Sequence, residues 1–279
     1  MMKKTGIVLL VFLLFSFSIQ ARENKENAQK WRLGVQSYTF HNYTFSEALD
    51  KIQQLGLNDV EVYFGQKLGG GLKGTMDYHA DETQQKKIRT MARAKGIEIV
   101  ACGVVICDSE EEWDQLFSFA RNMGIHTITC EPALDQLAYV DQLANKYKIN
   151  IAIHNHPKPA LYWNPDTLMK ALEGRSSRIG SCGDVGHWKR MGIDPVEALR
   201  ICKGRVISLH FKDVDKEGPD SEDVIWGKGV CHVKGMLAEL KEQHFSGIIS
   251  IEYESPDLDN LMDNIRKSIA YFYRTVDEL

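Results

Sequence analysis

Eight short apolar runs, each followed by a helix-patterned stretch, constrain this chain more than any other feature. They are RLGVQSYTF from Arg32, DVEVYF from Asp59, IEIVACG from Ile97, HTITCEP from His126, INIAIHNH from Ile149, IGSCGD from Ile179, VISLHFKD from Val206 and GIISIEYES from Gly247. Runs this short read as strands, and the segments between them carry helix starts and stops. Thr44 with Glu47 and Ser109 with Glu112 fit the capping box, in which each side chain satisfies the other's backbone N–H. Asn164-Pro165, Asp194-Pro195 and Ser255-Pro256 set a cap before a first-turn proline. Gly96, Gly124, Gly174 and Gly204 follow helical patterns at points where a left-handed residue ends the last turn. Strand and helix alternating eight times within 279 residues predict an α/β chain folded as a single (β/α)8 TIM barrel over residues 31–279.

The strand registers predict where the chemistry lies, because successive side chains point to opposite faces and one face of a barrel strand looks inward. Ser208, His210 and Lys212 share a face, as do Ser250, Glu252 and Glu254, as do Thr127, Thr129 and Glu131, and as do Ala152, His154 and His156. The opposite faces carry Ile207, Leu209 and Phe211, or Ile249, Ile251 and Tyr253, which suit contact with the helices. Each polar face ends at its C-terminal tip in an ionisable residue, and those tips are where barrel enzymes build their sites. In SCGDVGHWKR, from Ser181, Asp184 and His187 stand three apart at the tip of the sixth strand. Gly183 and Gly186 are expected to let the loop turn His187 back toward the lumen.

The N-terminus reads as an export signal. Lys3 and Lys4 form a basic start, Gly6 to Phe17 an apolar run, and Ser16, Ser18 and Ala21 offer small residues for cleavage. Residues 1–21 are therefore expected to be a signal peptide, residues 22–30 a polar segment, and the mature protein to be exported and periplasmic. The apolar run falls short of the roughly 20 residues that span a bilayer, so no stable membrane anchor is expected. Removing Lys3 and Lys4 takes the net charge from −4 to −6. An acidic chain without a basic run is a poor partner for nucleic acid. Cys102, Cys130, Cys182 and Cys202 lie in or beside apolar segments with no C-x-x-C pair, which predicts mostly buried thiols, a Cys102–Cys130 bridge being the alternative.

Glu131, Asp184, His210 and Glu252 are expected to converge at the rim. Three carboxylates and an imidazole in one place repel one another unless a divalent cation compensates them. Oxygen ligands with one imidazole suit Mn²⁺ foremost, with Mg²⁺, Co²⁺ and Zn²⁺ as alternatives. His154, Lys212, Trp188 and Glu254 are candidate substrate contacts, and Trp163, Trp188 and Trp226 candidate platforms for a sugar face. Gly69 to Gly74 formally satisfies G-x-G-x-x-G, but no helix opens at the glycines, so it reads as a flexible loop over the barrel mouth. The segment from Asp213 to Val233, with WGKG at 226–229, reads as a second lid.

The ordered set Cys-Glu-Pro at 130–132, HNHP at 154–157, GDVGHW at 183–188, LHFKD at 209–213, WGKG at 226–229 and SIEYE at 250–254 resembles the xylose isomerase-like TIM-barrel superfamily. The likeness is to its sugar isomerase/epimerase branch and covers essentially the whole mature chain. It implies that Glu131, Asp184, His210 and Glu252 hold the metal, that Glu131 and Glu252 flank the substrate as acid and base, and that His187 holds a substrate oxygen. A carboxylate on each side of a carbon next to a carbonyl can remove a proton from one face and return it to the other. The same enediolate leads to epimerisation, isomerisation or β-elimination.

The ketose 3-epimerases of the branch carry an arginine after the seventh-strand histidine, where this chain has Lys212 and Asp213. Exported relatives thought to remove the substituent of 3-keto-glycosides look similar in the HNHP and LHFKD regions. A 3-keto-glycoside lyase is therefore the alternative to an isomerase or epimerase, and a small-molecule sugar or keto-glycoside the expected partner. A homo-oligomer is compatible with this reading. Apurinic endonucleases share the barrel but need histidines after the second and third strands, where this chain has Phe64-Gly65 and Cys102-Gly103. A non-catalytic sugar-binding barrel is the remaining alternative.

Overall fold

In a computed structural model, residues 31–255 and 257–279 are described. The expected signal peptide over residues 1–21, the polar segment 22–30 and the proline of the Ser255-Pro256 cap lie outside them. Eight parallel strands close into one barrel: β1 (Arg32–Gln36), β2 (Asp59–Val62), β3 (Glu98–Val105), β4 (Thr127–Cys130), β5 (Asn150–His154), β6 (Ile179–Asp184), β7 (Val206–Phe211) and β8 (Ile248–Ile251). Their order around the barrel is β1-β8-β7-β6-β5-β4-β3-β2. Each of the eight apolar runs supplies one strand. β4 and β8 face each other across the lumen, four strands apart in either direction.

The helices are α1 (Phe45–Gln54), α2 (Glu82–Arg93), α3 (Glu110–Met123), α4 (Leu137–Tyr147), α5 (Pro165–Ala171), α6 (Val185–Arg190), α7 (Pro195–Ile201), α8 (Val233–Glu242) and α9 (Leu261–Glu278). α3 shows why such segments become helices. Ser109 accepts from the Glu112 N–H, three glutamates in the first turn complement the positive helix end, and Gly124 at φ 73° closes the last turn. Its buried stripe of Trp113, Leu116, Phe117, Ala120 and Met123 recurs at helical spacing. The reciprocal capping box of Thr44 and Glu47 also forms. Between β6 and β7 two short helices, α6 and α7, stand where the alternation suggests one. α9 begins at Leu261, later than the Ser255 cap implies.

All six cysteines are free and buried, so Cys102 and Cys130 are not bridged. The glycine stretch after β2 is not a loose loop. Lys67–Gly69 and Leu72–Thr75 pair as an antiparallel hairpin, and a Cβ on Gly69 would lie 2.5 Å from the Thr44 hydroxyl. The segment after β7 is likewise fastened. Asp213–Val214 pairs with Asp223–Val224, and the Asp213 carboxylate accepts the N–H groups of Gly227, Gly229 and Cys231 at 2.9 to 3.0 Å. Among the described residues no helix is long and apolar enough to cross a membrane.

Candidate functional site

The inward faces of the strands meet as their alternation requires. Deep in the lumen Glu61 of β2, wholly buried, accepts hydrogen bonds from Thr129 of β4 (2.5 Å) and Ser250 of β8 (2.8 Å). Its Oε1 stands 3.1 Å from His210 Nε2. Glu61 has no place in the sequence-based site. The signal was available, since the glutamate interrupts the apolar run DVEVYF, but a lone carboxylate in a strand does not reveal what it meets across the lumen. Above it His210 Nδ1 lies 3.2 Å from Glu252 Oε2.

At the tip of β6 the sequence-based reason for the two glycines needs correction. Asp184 caps α6 directly, accepting the His187 N–H at 2.7 Å, so a helical turn brings the two side chains together and His187 Nε2 stands 3.5 Å from Asp184 Oδ2. Gly183 and Gly186 serve close packing instead. A Cβ on Gly183 would meet the Trp188 ring at 2.5 Å, and one on Gly186 would meet the Lys212 side chain at 2.4 Å. Asn155, also absent from the sequence-based site, clamps this turn. Its amide accepts from Asp184 N at 2.7 Å and donates to Asp184 O at 2.9 Å.

Lys212 is wholly buried, and its ammonium sits 3.0 Å from Asp184, 2.8 Å from Glu252 and 3.3 Å from Glu254. A buried ammonium without such partners is strongly unfavourable. Here burial pulls its pKa down, but the charges of Asp184, Glu252 and Glu254 outweigh that and hold it well above the ordinary lysine value. Burial raises Asp184 and Glu252, yet nearby His187 and Lys212 for the former, and Lys212 and His210 for the latter, keep both well below the usual carboxylate range. On the far side, Glu131 Oε1 accepts from His154 Nδ1 at 3.1 Å and from His156 Nδ1. These bonds overcome the opposing effect of burial and bring Glu131 down to about 2. Burial lowers His154 too, but hydrogen bonds with Asp184 and Glu131 raise it to about 9. Burial takes His187 to about 3, Asp184 opposing and Lys212 assisting.

A cavity of about 400 Å³ opens on this cluster, lined by Glu252, Glu254, His154, His156 and His187 together with Tyr38, Tyr63 and Phe64. The Tyr38 and Tyr63 rings meet edge to face at 5.1 Å. The second and third strands thus send Phe64, Gly103 and Val104 to the cavity rather than metal-binding side chains. Trp188 is not a cavity residue, which corrects its assignment as a substrate contact. It is wholly buried, its ring packed against Gly183, where only a residue without a side chain leaves room for it. Trp226 is buried against Phe211 as well, and Trp163 is capped by Lys158 at 3.8 Å.

The donor atoms of His154, Asp184, His210 and Glu252 all lie within 4.8 Å of one another. Asp184 Oδ2 and both His210 nitrogens are buried without an aligned hydrogen bond. Buried polar atoms seldom stay so; Asp184 Oδ2, and His210 Nδ1 on the Glu252 side, are donors that suit a divalent cation. This geometric group contains His154, whereas the resemblance names Glu131.

The sequence over residues 49–275 matches the family described as "Xylose isomerase-like TIM barrel". Among solved structures, an uncharacterized protein from Parabacteroides distasonis ATCC 8503 is 41% identical, with a TM-score of 0.73 over 88% of this chain and 98% of that one. A second, the IOLI protein with a bound zinc atom, is 16% identical with a TM-score of 0.68, over 88% of this chain and 98% of that one, a likeness of fold. The inosose isomerase of Bacillus subtilis (strain 168) is 26% identical over 45% of this chain and 47% of its own length. The chain spans about half the length of the curated relatives it matches. With its closed eight-stranded barrel, its cluster at the strand tips and a match across most of its length, this chain belongs to the xylose isomerase-like TIM barrel family.

Proposed function

We propose that the protein is a metal-dependent sugar isomerase or epimerase that moves a proton on the carbon next to a carbonyl through an enediolate. The observation that carries this reading is the grouping of donor atoms of His154, Asp184, His210 and Glu252 within 4.8 Å of one another, with His154 and Glu252 lining the cavity. Asp184, His210 and Glu252 would hold a divalent ion, with Glu131 or His154 as fourth donor. Such an ion, when bound, supplies positive charge for the developing enediolate oxygens. Glu252 borders the cavity and is the candidate base on the β8 side. Glu131 lies across the lumen on the β4 side, one oxygen anchored by His154 and His156, and is the candidate group that returns the proton to the other face. His187 and Glu254 border the same space and are placed to hold substrate hydroxyls, while Lys212 keeps Asp184 and Glu252 ionised.

One feature favours elimination as a second reading. Tyr38, Tyr63 and Phe64 line the same cavity as Glu252 and Glu254 and suit the apolar substituent of a 3-keto-glycoside. Proton NMR in D2O of the Mn²⁺-loaded protein with a 3-keto-glucoside separates the two. Exchange at C2 without release of the substituent supports isomerase or epimerase chemistry, and exchange with release supports a lyase. No exchange with any keto-sugar tested overturns both. Removing Glu252 distinguishes an enzyme from a sugar-binding barrel, since binding alone would survive it. We further propose that residues 1–21 direct export to the periplasm. N-terminal sequencing of protein recovered from the periplasm tests this, and an intact Met1 would refute it.

A further inference from the structure

We propose that His154, His156 and His187 form a second metal site, of the three-imidazole type, beside the acidic group and opening on the same cavity. Their donor nitrogens lie within 4.8 Å of one another, and the ring centroids are 4.3 Å apart for His154 and His156, 5.4 Å for His156 and His187 and 5.7 Å for His154 and His187. Three nitrogens each about 2.1 Å from one zinc ion stand about 3.4 Å apart in tetrahedral geometry. His156, its side chain 48% exposed, has room to adjust its ring about the Glu131 contact.

The carboxylate behind the histidines is the second observation. Glu131 Oε1 accepts from Nδ1 of both His154 and His156. A carboxylate can only accept, so each ring commits its Nδ1 proton to Glu131 and keeps Nε2 for another partner; that of His154 stands 3.5 Å from Asp184 Oδ2. A carboxylate behind a histidine is how metal sites commonly orient their ligands. His187 differs: the Arg190 guanidinium can only donate, so Nδ1 accepts at 3.4 Å and the neutral ring's proton sits on Nε2, 3.5 Å from Asp184 Oδ2. Taking an ion on Nε2 moves that proton to Nδ1 and opens the long Arg190 contact, leaving Arg190 on Asp223 at 2.7 Å. Three protein ligands facing a cavity leave the fourth position to water or substrate.

His154 has one nitrogen to offer, so an ion on the histidines withdraws it from the acidic group and leaves Glu131 as that group's fourth donor. An all-imidazole site selects Zn²⁺, Co²⁺ or Ni²⁺ over Mn²⁺ or Mg²⁺. The protein should therefore bind two equivalents of Zn²⁺ but one of Mn²⁺.

The test is equilibrium dialysis of the whole mature protein against Zn²⁺, with bound metal counted by mass spectrometry, for wild type, His156→Ala, His156→Gln and His210→Gln. Circular dichroism confirms that each is folded, and Co²⁺ in place of Zn²⁺ reports the ligand field by its visible absorption. The expected result is a drop from two equivalents to one in both His156 variants, with loss of one Co²⁺ spectrum that His210→Gln retains. The proposal falls if the His156 variants bind as much Zn²⁺ as wild type, or if they lose no equivalent that His210→Gln keeps. The metal assignment of the acidic group fails separately, if His210→Gln loses no ion.

Discussion

Lys212 illustrates how much one side chain holds in place. Its ammonium lies between Asp184 and Glu252, and the chain below it fills the space that Gly186 leaves open. Removing one partner of a buried charge cluster typically costs about 3–5 kcal/mol, because the remaining charges lose compensation. Lys212→Met should therefore lower the melting temperature markedly in EDTA, and added Mn²⁺ should restore more stability to the variant than to wild type. Equal effects of Mn²⁺ on both would show that the ammonium and the ion do not answer the same charges. For catalysis, Glu252→Gln and Glu131→Gln should each reduce turnover about 10²-fold or more, the usual range for an acid or base lost. Wild-type rates with metal retained would remove either from the mechanism. His210 and Glu252 were legible as site residues because a strand's alternation carries them inward; Trp188 was misread because aromatic identity does not say which side of a turn a ring packs on.

At the scale of elements, the strap after β7 depends on one carboxylate. Asp213 is buried and gathers the N–H groups of Gly227, Gly229 and Cys231. Asp213→Ala leaves these donors without their acceptor, at about 1–3 kcal/mol for each group that stays buried. Limited proteolysis should then cut between residues 214 and 231, where wild type resists. Equal resistance would mean that the short Asp213–Val214 and Asp223–Val224 pairing suffices. From sequence alone the strap reads as a lid, because its glycines and polar residues resemble a mobile loop. Its anchoring is invisible there, since one side chain meets donors 14 to 18 residues away. α6 was missed for a related reason: six residues rich in glycine and cations carry little helical pattern, and the helix stands because Asp184 caps it and Asn155 clamps its entry.

For the whole molecule, the site's electrostatics predict a stability optimum. Glu131 sits near 2 when folded against an ordinary 4.5, so its contribution is complete above 4.5 and lost as pH falls toward 2. His187 sits near 3 against 6.5, so its contribution is complete above 6.5 and lost on the way down. His154 sits near 9 against 6.5, so its contribution is complete below 6.5 and lost as pH rises through 9. Metal-free protein should accordingly melt highest near pH 6.5 and lower on either side, as differential scanning fluorimetry in EDTA would show. Stability rising steadily to pH 9 would contradict the assignment of these charges. The sequence alone determined the eight-fold alternation, the capped starts, the buried thiols and the inward ranks of polar side chains, because these follow from periods of 2 and 3.6 residues and from local hydrogen bonding. Tertiary structure alone decided that Glu61 stands under His210, that Lys212 bridges Asp184 and Glu252, and that His154 and His156 share the Glu131 carboxylate beside His187. Those neighbours are set by barrel closure, which brings together strand residues as far apart in sequence as Arg32 and Ile248, and no local pattern encodes which tips will meet.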